Sequence, residues 1–266
     1  MTGSETGRVV LRTDGLCKYF GGVKAVHDLN LTVREGTITA LIGPNGAGKT
    51  TAFNLCTGMY IPTHGSVEFR CQLDKAHTLG GTAPDRITRL GVARTFQNIR
   101  LFTDVPALDN VKLGMHPRTK SGVLAALLHF PARREERQVE RAAYRYLDFV
   151  GLAHKSHELA GDLPYGEQRR LEIARALALD PSLLLLDEPA AGMNPQETED
   201  LMALIRRIRD LGITVFLIEH DMRLVMGISE HIVVLDHGEV IADGTPSEVR
   251  NNPEVIRAYL GDEALG

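Results

Sequence analysis

Tryptophan is absent from this 266-residue sequence, so a fluorescent ligand can be followed without an indole background. Cysteine is scarce: Cys17, Cys56 and Cys71 are odd in number, widely spaced and form no C-x-x-C pair. That argues against a disulfide framework and a zinc site, and it fits a reducing cytosol. Long apolar runs are missing as well. The longest near the middle, Val123 to Leu128, is far too short to span a bilayer. The segment Met1 to Arg8 lacks the apolar core of a signal peptide. Strong charge of either sign is lacking too, and a formal net charge of −4 gives no general pull toward nucleic acid. If the protein serves a membrane, it does so from outside the lipid. The remainder, 43% hydrophobic and 24% charged, suits one large globular domain or a domain with a sub-domain.

Against that background one stretch stands out. Gly43-Pro44-Asn45-Gly46-Ala47-Gly48-Lys49-Thr50 fits G-x-x-x-x-G-K-[ST], the P-loop pattern. Ile38 to Ile42 before it reads as a short buried strand, and Thr51 to Cys56 after it continues as a helix. Glycines let the backbone wrap so that successive N–H groups converge on an anion, backed by the positive end of the helix. Lys49 is then placed for the β- and γ-phosphates, and the Thr50 hydroxyl for Mg²⁺. The expected ligand is a nucleoside triphosphate.

The chain around this loop alternates strands and helices. Val9 to Cys17 and Ala25 to Val33 read as strands around a Gly21-Gly22 turn. Phe20, just before that turn, either stacks on an adenine ring or is a strand-end core aromatic. Gly65 to Phe69 is a strand, Asp74 to Ala83 a loop, Pro84 to Leu90 a short helix and Val92 to Phe96 a strand ending at Gln97. The Gln97 amide offers an acceptor and two donors, which could touch Mg²⁺ and an attacking water together, although a lone glutamine is more often a surface residue.

From Asn98 to Asp162 strand patterns vanish. A helix is expected from about Val105-Pro106 to Gly114, then a basic, apolar-interrupted insert from Met115 to Arg134. Glu135 to Val150 has Val139, Ala142, Ala143, Tyr146, Leu147 and Val150 at helical spacing, most simply core packing. Leu163-Pro164-Tyr165-Gly166-Glu167 leads into an amphipathic helix, Arg169 to Leu177, whose N-terminus lies near Gly166 and could take a phosphate.

Leu183 to Leu186 describes a strand buried on both faces, and it runs into Asp187-Glu188 at the edge where ligands bind in open α/β sheets. Asp187 is placed to hold Mg²⁺ directly or through water, and Glu188 to orient and deprotonate a water. Pro195 to Leu211 reads as a helix, and Ile213 to Ile218 is another apolar strand, running into Glu219-His220. His220 leaves that strand on the same side as Gln97 and Glu188, within reach of a γ-phosphate. His231 to Leu235 and Glu239 to Ala242 form a hairpin, and Pro246 to Arg250 and Pro253 to Leu260 are short helices.

This ordered set resembles the nucleotide-binding subunit of an ATP-binding cassette (ABC) transporter over nearly the whole chain. The resemblance implies an α/β P-loop NTPase core with an N-terminal antiparallel β subdomain and an inserted helical subdomain. Residues 1–97 and 181–266 would form the first two, and residues 98–180 the helical, signature-bearing insert. It implies an ATPase using ATP and Mg²⁺. Phe20 would be the adenine-stacking aromatic, Gly43 to Thr51 (including Thr51 itself) the Walker A loop, and Gln97 the Q-loop glutamine. Leu163, Pro164, Tyr165, Gly166 and Glu167 align with the LSGGQ signature that closes over the ATP of the opposite subunit. Asp187 and Glu188 match the Walker B aspartate and catalytic glutamate, Ala191 to Asn194 the D-loop, and His220 the switch histidine. Thr50, Gln97 and Asp187 form the implied metal set.

Within the family, Ala93 to Phe102, Gly166 to Arg175 and Glu188 to Pro195 are similar to the LivG type, the ATPase for branched-chain amino-acid import. The implied partners are membrane permease subunits, a second ATPase subunit (a heterodimer, with a homodimer as the alternative) and, indirectly, a solute-binding protein, with no nucleic acid. The implied location is the cytoplasmic face of the bacterial inner membrane, peripherally. Urea and amide import, lipopolysaccharide export and cytosolic iron–sulfur assembly use similar ATPases and stand as alternatives. A DNA-repair ATPase would need long coiled coils that the stretch from Gln97 to Leu163 cannot hold, and a translation factor would carry two cassettes. Three positions depart from the pattern: Pro164 stands for the signature serine, Tyr165 for its first glycine, and Asn194 for the D-loop acid.

Overall fold

Parallel strands covered on both faces need apolar side chains at every position, and the chain supplies several such runs. The computed structural model, described for residues 7–71, 75–115 and 132–260, places them side by side. Ile38–Ile42 (β3), Thr214–Ile218 (β8), Leu183–Asp187 (β7) and Val92–Arg94 (β6) pair in that order, all parallel. His231–Asp236 (β9) lies parallel on the other side of β3, and Glu239–Gly244 (β10) folds back on it as an antiparallel edge, giving the order β10-β9-β3-β8-β7-β6.

The two-residue period of a strand divides each run between two cores. Leu184 and Leu186 of β7 and Val215 and Leu217 of β8 face one core, while Leu183, Leu185, Phe216 and Ile218 face the other. The second core lies under a four-stranded antiparallel sheet. That sheet, ordered β2-β1-β4-β5, comprises Val9–Phe20 (β1), Val23–Arg34 (β2), His64–Arg70 (β4) and Ala76–Thr78 (β5). The helix Lys49–Cys56 (α1) fills this core, with Phe53 4.7 Å from Phe216 between ring centroids.

Helices Ala107–Met115 (α3), Ala132–Phe149 (α4) and Tyr165–Leu177 (α5) pack against one another. Ala143, Leu147 and Val150 are buried there, so the helical stripe is core packing. Pro195–Asp210 (α6), Met222–Ile228 (α7), Pro246–Arg250 (α8) and Pro253–Leu260 (α9) complete the chain, after the short helix Pro84–Arg89 (α2). Among the described residues, no helix is long and apolar enough to cross a membrane. Most of the Met115 to Arg134 insert, with the Val123 to Leu128 run, lies outside the described residues.

Two local expectations are corrected, and one helix appears where none was expected. The loop expected from Asp74 to Ala83 contains β5, which owes its existence to ladder pairing with β4 (Glu68 with Thr78, Arg70 with Ala76) rather than to an apolar pattern. β6 stops at Arg94 instead of reaching Phe96. One further ladder bond, Thr95 N–H to Leu185 O at 2.9 Å, is the last, because the carbonyls of Phe96 and Gln97 accept from the Arg169 guanidinium instead, each at 2.7 Å. The unexpected α7 is set by Asp221, whose carboxylate accepts from the N–H groups of Arg223 and Leu224 at its N-terminus.

Candidate functional site

Each strand of the parallel sheet delivers its next residues to one edge: the P-loop from β3, Gln97 from β6, Asp187 and Glu188 from β7, and His220 from β8. The P-loop is held tightly from behind. A Cβ on Gly43 (φ +152°) would lie 2.1 Å from Leu235 O, and one on Gly48 (φ +102°) 2.2 Å from Ala25 O. Only glycine fits either place. Ala47 O accepts from Gly238 N–H at 3.0 Å, tying the loop to the β9–β10 turn. α1 starts at Lys49 with no side-chain cap, so its N-terminal N–H groups are presented to the loop. Lys49 Nζ curls across the loop to Gly43 O (2.8 Å) and Pro44 O (2.9 Å). Burial lowers its pKa, and the charge of Glu188 opposes that shift. Asn45, Gly46 and Thr50 are exposed; Pro44 and Thr51 are half-buried.

Glu188 continues β7 by one hydrogen bond, N–H to Ile218 O at 3.0 Å, and then turns with φ +46°, a conformation that non-glycine residues adopt at a cost. Gln97 Nε2 donates to Glu188 Oε2 at 2.9 Å, and His220 Nδ1 lies 3.9 Å from the same oxygen. Gln97, Glu188 and His220 are therefore brought together, with Lys49 near enough for its charge to be felt.

Asp187 sits one residue back, its side chain 3% exposed. Its Oδ2 accepts from Arg94 at 2.7 Å, while Oδ1 is buried without a partner. A buried carboxylate oxygen left unpaired at a phosphate loop suits a hard divalent cation. Among the described residues no cluster of three or more His, Cys, Asp and Glu could hold a metal. A cation at Asp187 would therefore complete its shell with phosphate, hydroxyl and water oxygens, which is how Mg²⁺ is commonly held.

Phe20 stands on the antiparallel sheet, 44% exposed and so not a core aromatic. Its ring meets Tyr60 edge-on at 5.3 Å, and Lys18 Nζ lies 5.1 Å from its centroid. Leu163 to Glu167 forms the entry to α5. Leu163 is buried, and Pro164 is the N-cap, its carbonyl accepting from Glu167 and Gln168 N–H. Tyr165 packs by Gly192, Gly166 lies against Glu197, and Glu167 pairs with Lys155 at 2.7 Å. Asn194 caps α6 in a reciprocal pair with Glu197.

Several residues that bind this edge together carry no motif. Arg169 and Glu172 form a fully buried pair at 2.8 Å on α5, and Arg169 also clamps the Gln97 backbone through its carbonyl. Burial raises the Glu172 pKa against the pull of Arg169. Glu219, wholly buried, accepts from Ala190 N–H (2.8 Å) and His220 N–H (3.0 Å), linking the segment after Glu188 to His220; burial raises its pKa too. The only sequence signal for these is a charged residue inside an apolar strand (Arg94) or on the inner face of a helix (Arg169), which reads equally as a solvated charge.

A glycine-built phosphate loop, an acidic strand end and a glutamine meeting the glutamate at one sheet edge define a P-loop ATPase of the ATP-binding cassette class. Residues 26–191 match the family described as ABC transporter, and residues 239–264 one described as branched-chain amino acid ATP-binding cassette transporter. The chain is 49% identical over 257 residues to the high-affinity branched-chain amino acid transport ATP-binding protein BraF of Pseudomonas aeruginosa, covering 96% of this chain and 99% of BraF. It is 46% identical over 256 residues to the corresponding protein LivG of Escherichia coli K12, covering 95% and 98%. The crystal structure of a nucleotide-free ATP-binding cassette from an ABC transporter superposes with a TM-score of 0.81 at 31% identity, covering 96% of this chain and 100% of that one. A cassette in its ADP conformation gives 0.82 at the same identity and coverage. The chain belongs to the ABC transporter ATP-binding family and is an ATPase subunit of it.

Proposed function

We propose that this chain hydrolyses ATP to power import of branched-chain amino acids through a membrane permease. The observation that carries the catalytic half is the convergence of Gln97 and His220 on Glu188 at the edge beside the P-loop. The solute class is supported by the names of BraF and LivG and by the match of residues 239–264.

In this reading Glu188 is the general base for the attacking water, and Gln97 and His220 orient it and the γ-phosphate. Gly43, Pro44, Asn45, Gly46, Ala47, Gly48, Lys49, Thr50 and Thr51 cradle the phosphates, and Phe20 stacks on the adenine. Asp187, Thr50 and Gln97 would hold Mg²⁺, which when bound neutralises charge on the β- and γ-phosphates. Leu163, Pro164, Tyr165, Gly166 and Glu167 face the ATP of a second ATPase subunit, most usefully a different one. Residues 98–180 act as the helical subdomain against a core of residues 1–97 and 181–266. The subunit works peripherally, on the cytoplasmic side of its permease, with a solute-binding protein delivering the cargo.

The test is reconstitution of the chain with its permease and partner ATPase in proteoliposomes. ATP-driven leucine uptake stimulated by a leucine-loaded binding protein is expected. Uptake of urea or amides with no response to leucine would transfer the chain to one of those systems.

A further inference from the structure

Arg94 is the one charged residue of β6, and its guanidinium joins the end of α1 to the end of β7. Its guanidinium donates to Asn54 Oδ1 (2.8 Å) and Thr57 Oγ1 (2.9 Å) at the end of α1, and to Asp187 Oδ2 (2.7 Å) at the end of β7. It lies against the rings of Phe53 and Phe96, with its central carbon 5.6 and 5.1 Å from their centroids. The pair with Asp187 is almost completely enclosed, with side-chain exposures of 7% and 3%.

We propose that Arg94 is a positioning residue for metal binding: it occupies Asp187 Oδ2 and so presents the buried, unpaired Oδ1 to the cation that accompanies the nucleotide. This rests on the reading of Asp187 as a metal-holding carboxylate. A carboxylate with one contact can swing about its terminal torsion, whose preference is broad. Here the guanidinium cannot follow such a swing, because its Nη1 is held by both Asn54 and Thr57 and it lies against two aromatic rings. A planar, permanently charged fork suits this task; an ammonium on a flexible stem can meet Asp187 but not all three partners in one plane. The anchor points matter as well. Asn54 and Thr57 belong to the helix and turn that continue from Lys49 and Thr50, so the same guanidinium fixes Asp187 relative to the phosphate loop. Partners that orient a metal ligand in this way typically change metal affinity about 10–100-fold when replaced.

The experiment measures binding of a fluorescent ATP analogue by the full chain, in EDTA and across a Mg²⁺ titration. Arg94→Lys is expected to leave the affinity in EDTA unchanged and to raise the Mg²⁺ concentration at the binding midpoint by about tenfold. Arg94→Met should raise it further if that variant folds; if it does not, the lysine variant decides. An unchanged Mg²⁺ midpoint in Arg94→Lys overturns the proposal. So does an equal loss of affinity in EDTA, or a lysine variant that fails to fold, since either assigns Arg94 to general structure. Asp187→Asn separates the two levels. If it keeps the parent Mg²⁺ midpoint, the reading of Asp187 itself is wrong; if it loses Mg²⁺ dependence while Arg94→Lys keeps the parent midpoint, only the role of Arg94 fails.

Discussion

Gln97 and Glu188, 91 positions apart in sequence, are joined by a 2.9 Å hydrogen bond from the glutamine amide to the glutamate carboxylate. The bond spans from the end of an edge strand to the end of its neighbour, so the geometry belongs to the sheet and not to either side chain alone. It also leaves Glu188 Oε1 for another donor, as the role of base proposed for Glu188 requires.

Glu188→Gln should retain ATP binding and lose turnover by about 10²–10⁴-fold, because it keeps the shape and removes the proposed base. The assay is ATP hydrolysis alongside the native partners, with binding measured in parallel. Turnover within a few-fold of the parent would remove Glu188 from the role of base.

Lys49→Ala should lose nucleotide affinity rather than catalytic rate alone, since Lys49 is the charge assigned to the β- and γ-phosphates. Titration with a fluorescent ATP analogue is clean in a chain without tryptophan. Equal affinity in the variant at saturating Mg²⁺ would contradict the phosphate-loop reading.

The same lysine predicts a proton linkage. Burial lowers its pKa in the free protein, and a bound triphosphate, being anionic, raises it. Between the two values the complex holds more protons than the free components, so binding takes up protons and weakens as pH rises through that alkaline window. Calorimetry at alkaline pH in buffers of differing ionisation enthalpy reads the uptake directly. Lys49→Arg should abolish it, because arginine stays charged throughout; uptake persisting undiminished in that variant would place the linkage elsewhere.

Arg169→Met should destabilise the fold by about 3–5 kcal/mol, because it removes the buried ion-pair partner of Glu172 and leaves that carboxylate only the backbone N–H groups of Phe96 and Arg100. Glu172 already has a raised pKa, and losing Arg169 raises it more. The folded state then holds a proton that the unfolded chain has released, so the penalty grows as pH rises from the ordinary carboxylate range through the raised value. Urea melts at acid and neutral pH should diverge accordingly. Replacing both partners with apolar residues should recover much of the loss; a double variant no better than the single would mean that the clamp on Phe96 and Gln97, not the unpaired charge, dominates.

Much of this architecture is readable from the chain because parallel strands and phosphate loops are written in local terms. Leu183 to Asp187 and Ile38 to Gly43 announce both a buried strand and the ligand-binding turn at its end. Contacts settled by distant partners escape such a reading. β5 exists through pairing with β4, and Arg169 is buried only because Phe96, Gln97 and Glu172 meet it. Arg94 reads as an interruption of an apolar strand until Asn54, Thr57 and Asp187 surround it.

The signature departures bear on partnership. Asn194 carries little weight, since its side chain caps α6, a task asparagine and aspartate perform about equally. Pro164 matters more: it has no N–H and no hydroxyl to offer a phosphate, and its carbonyl is taken by Glu167 and Gln168. Tyr165 fills the space beside Gly192 where the family pattern has glycine. One lost hydrogen bond to a charged phosphate is worth about 1.5–3 kcal/mol, enough to favour one composite site over the other without abolishing association. The expected outcome is that Glu188→Gln protein with ATP and Mg²⁺ stays mostly monomeric alone and forms a one-to-one heterodimer when the partner ATPase is added. Size-exclusion chromatography with light scattering distinguishes the two. A tight ATP-dependent homodimer of this chain by itself would mean that Pro164 and Tyr165 are harmless at the signature and that heteromeric pairing is not encoded there.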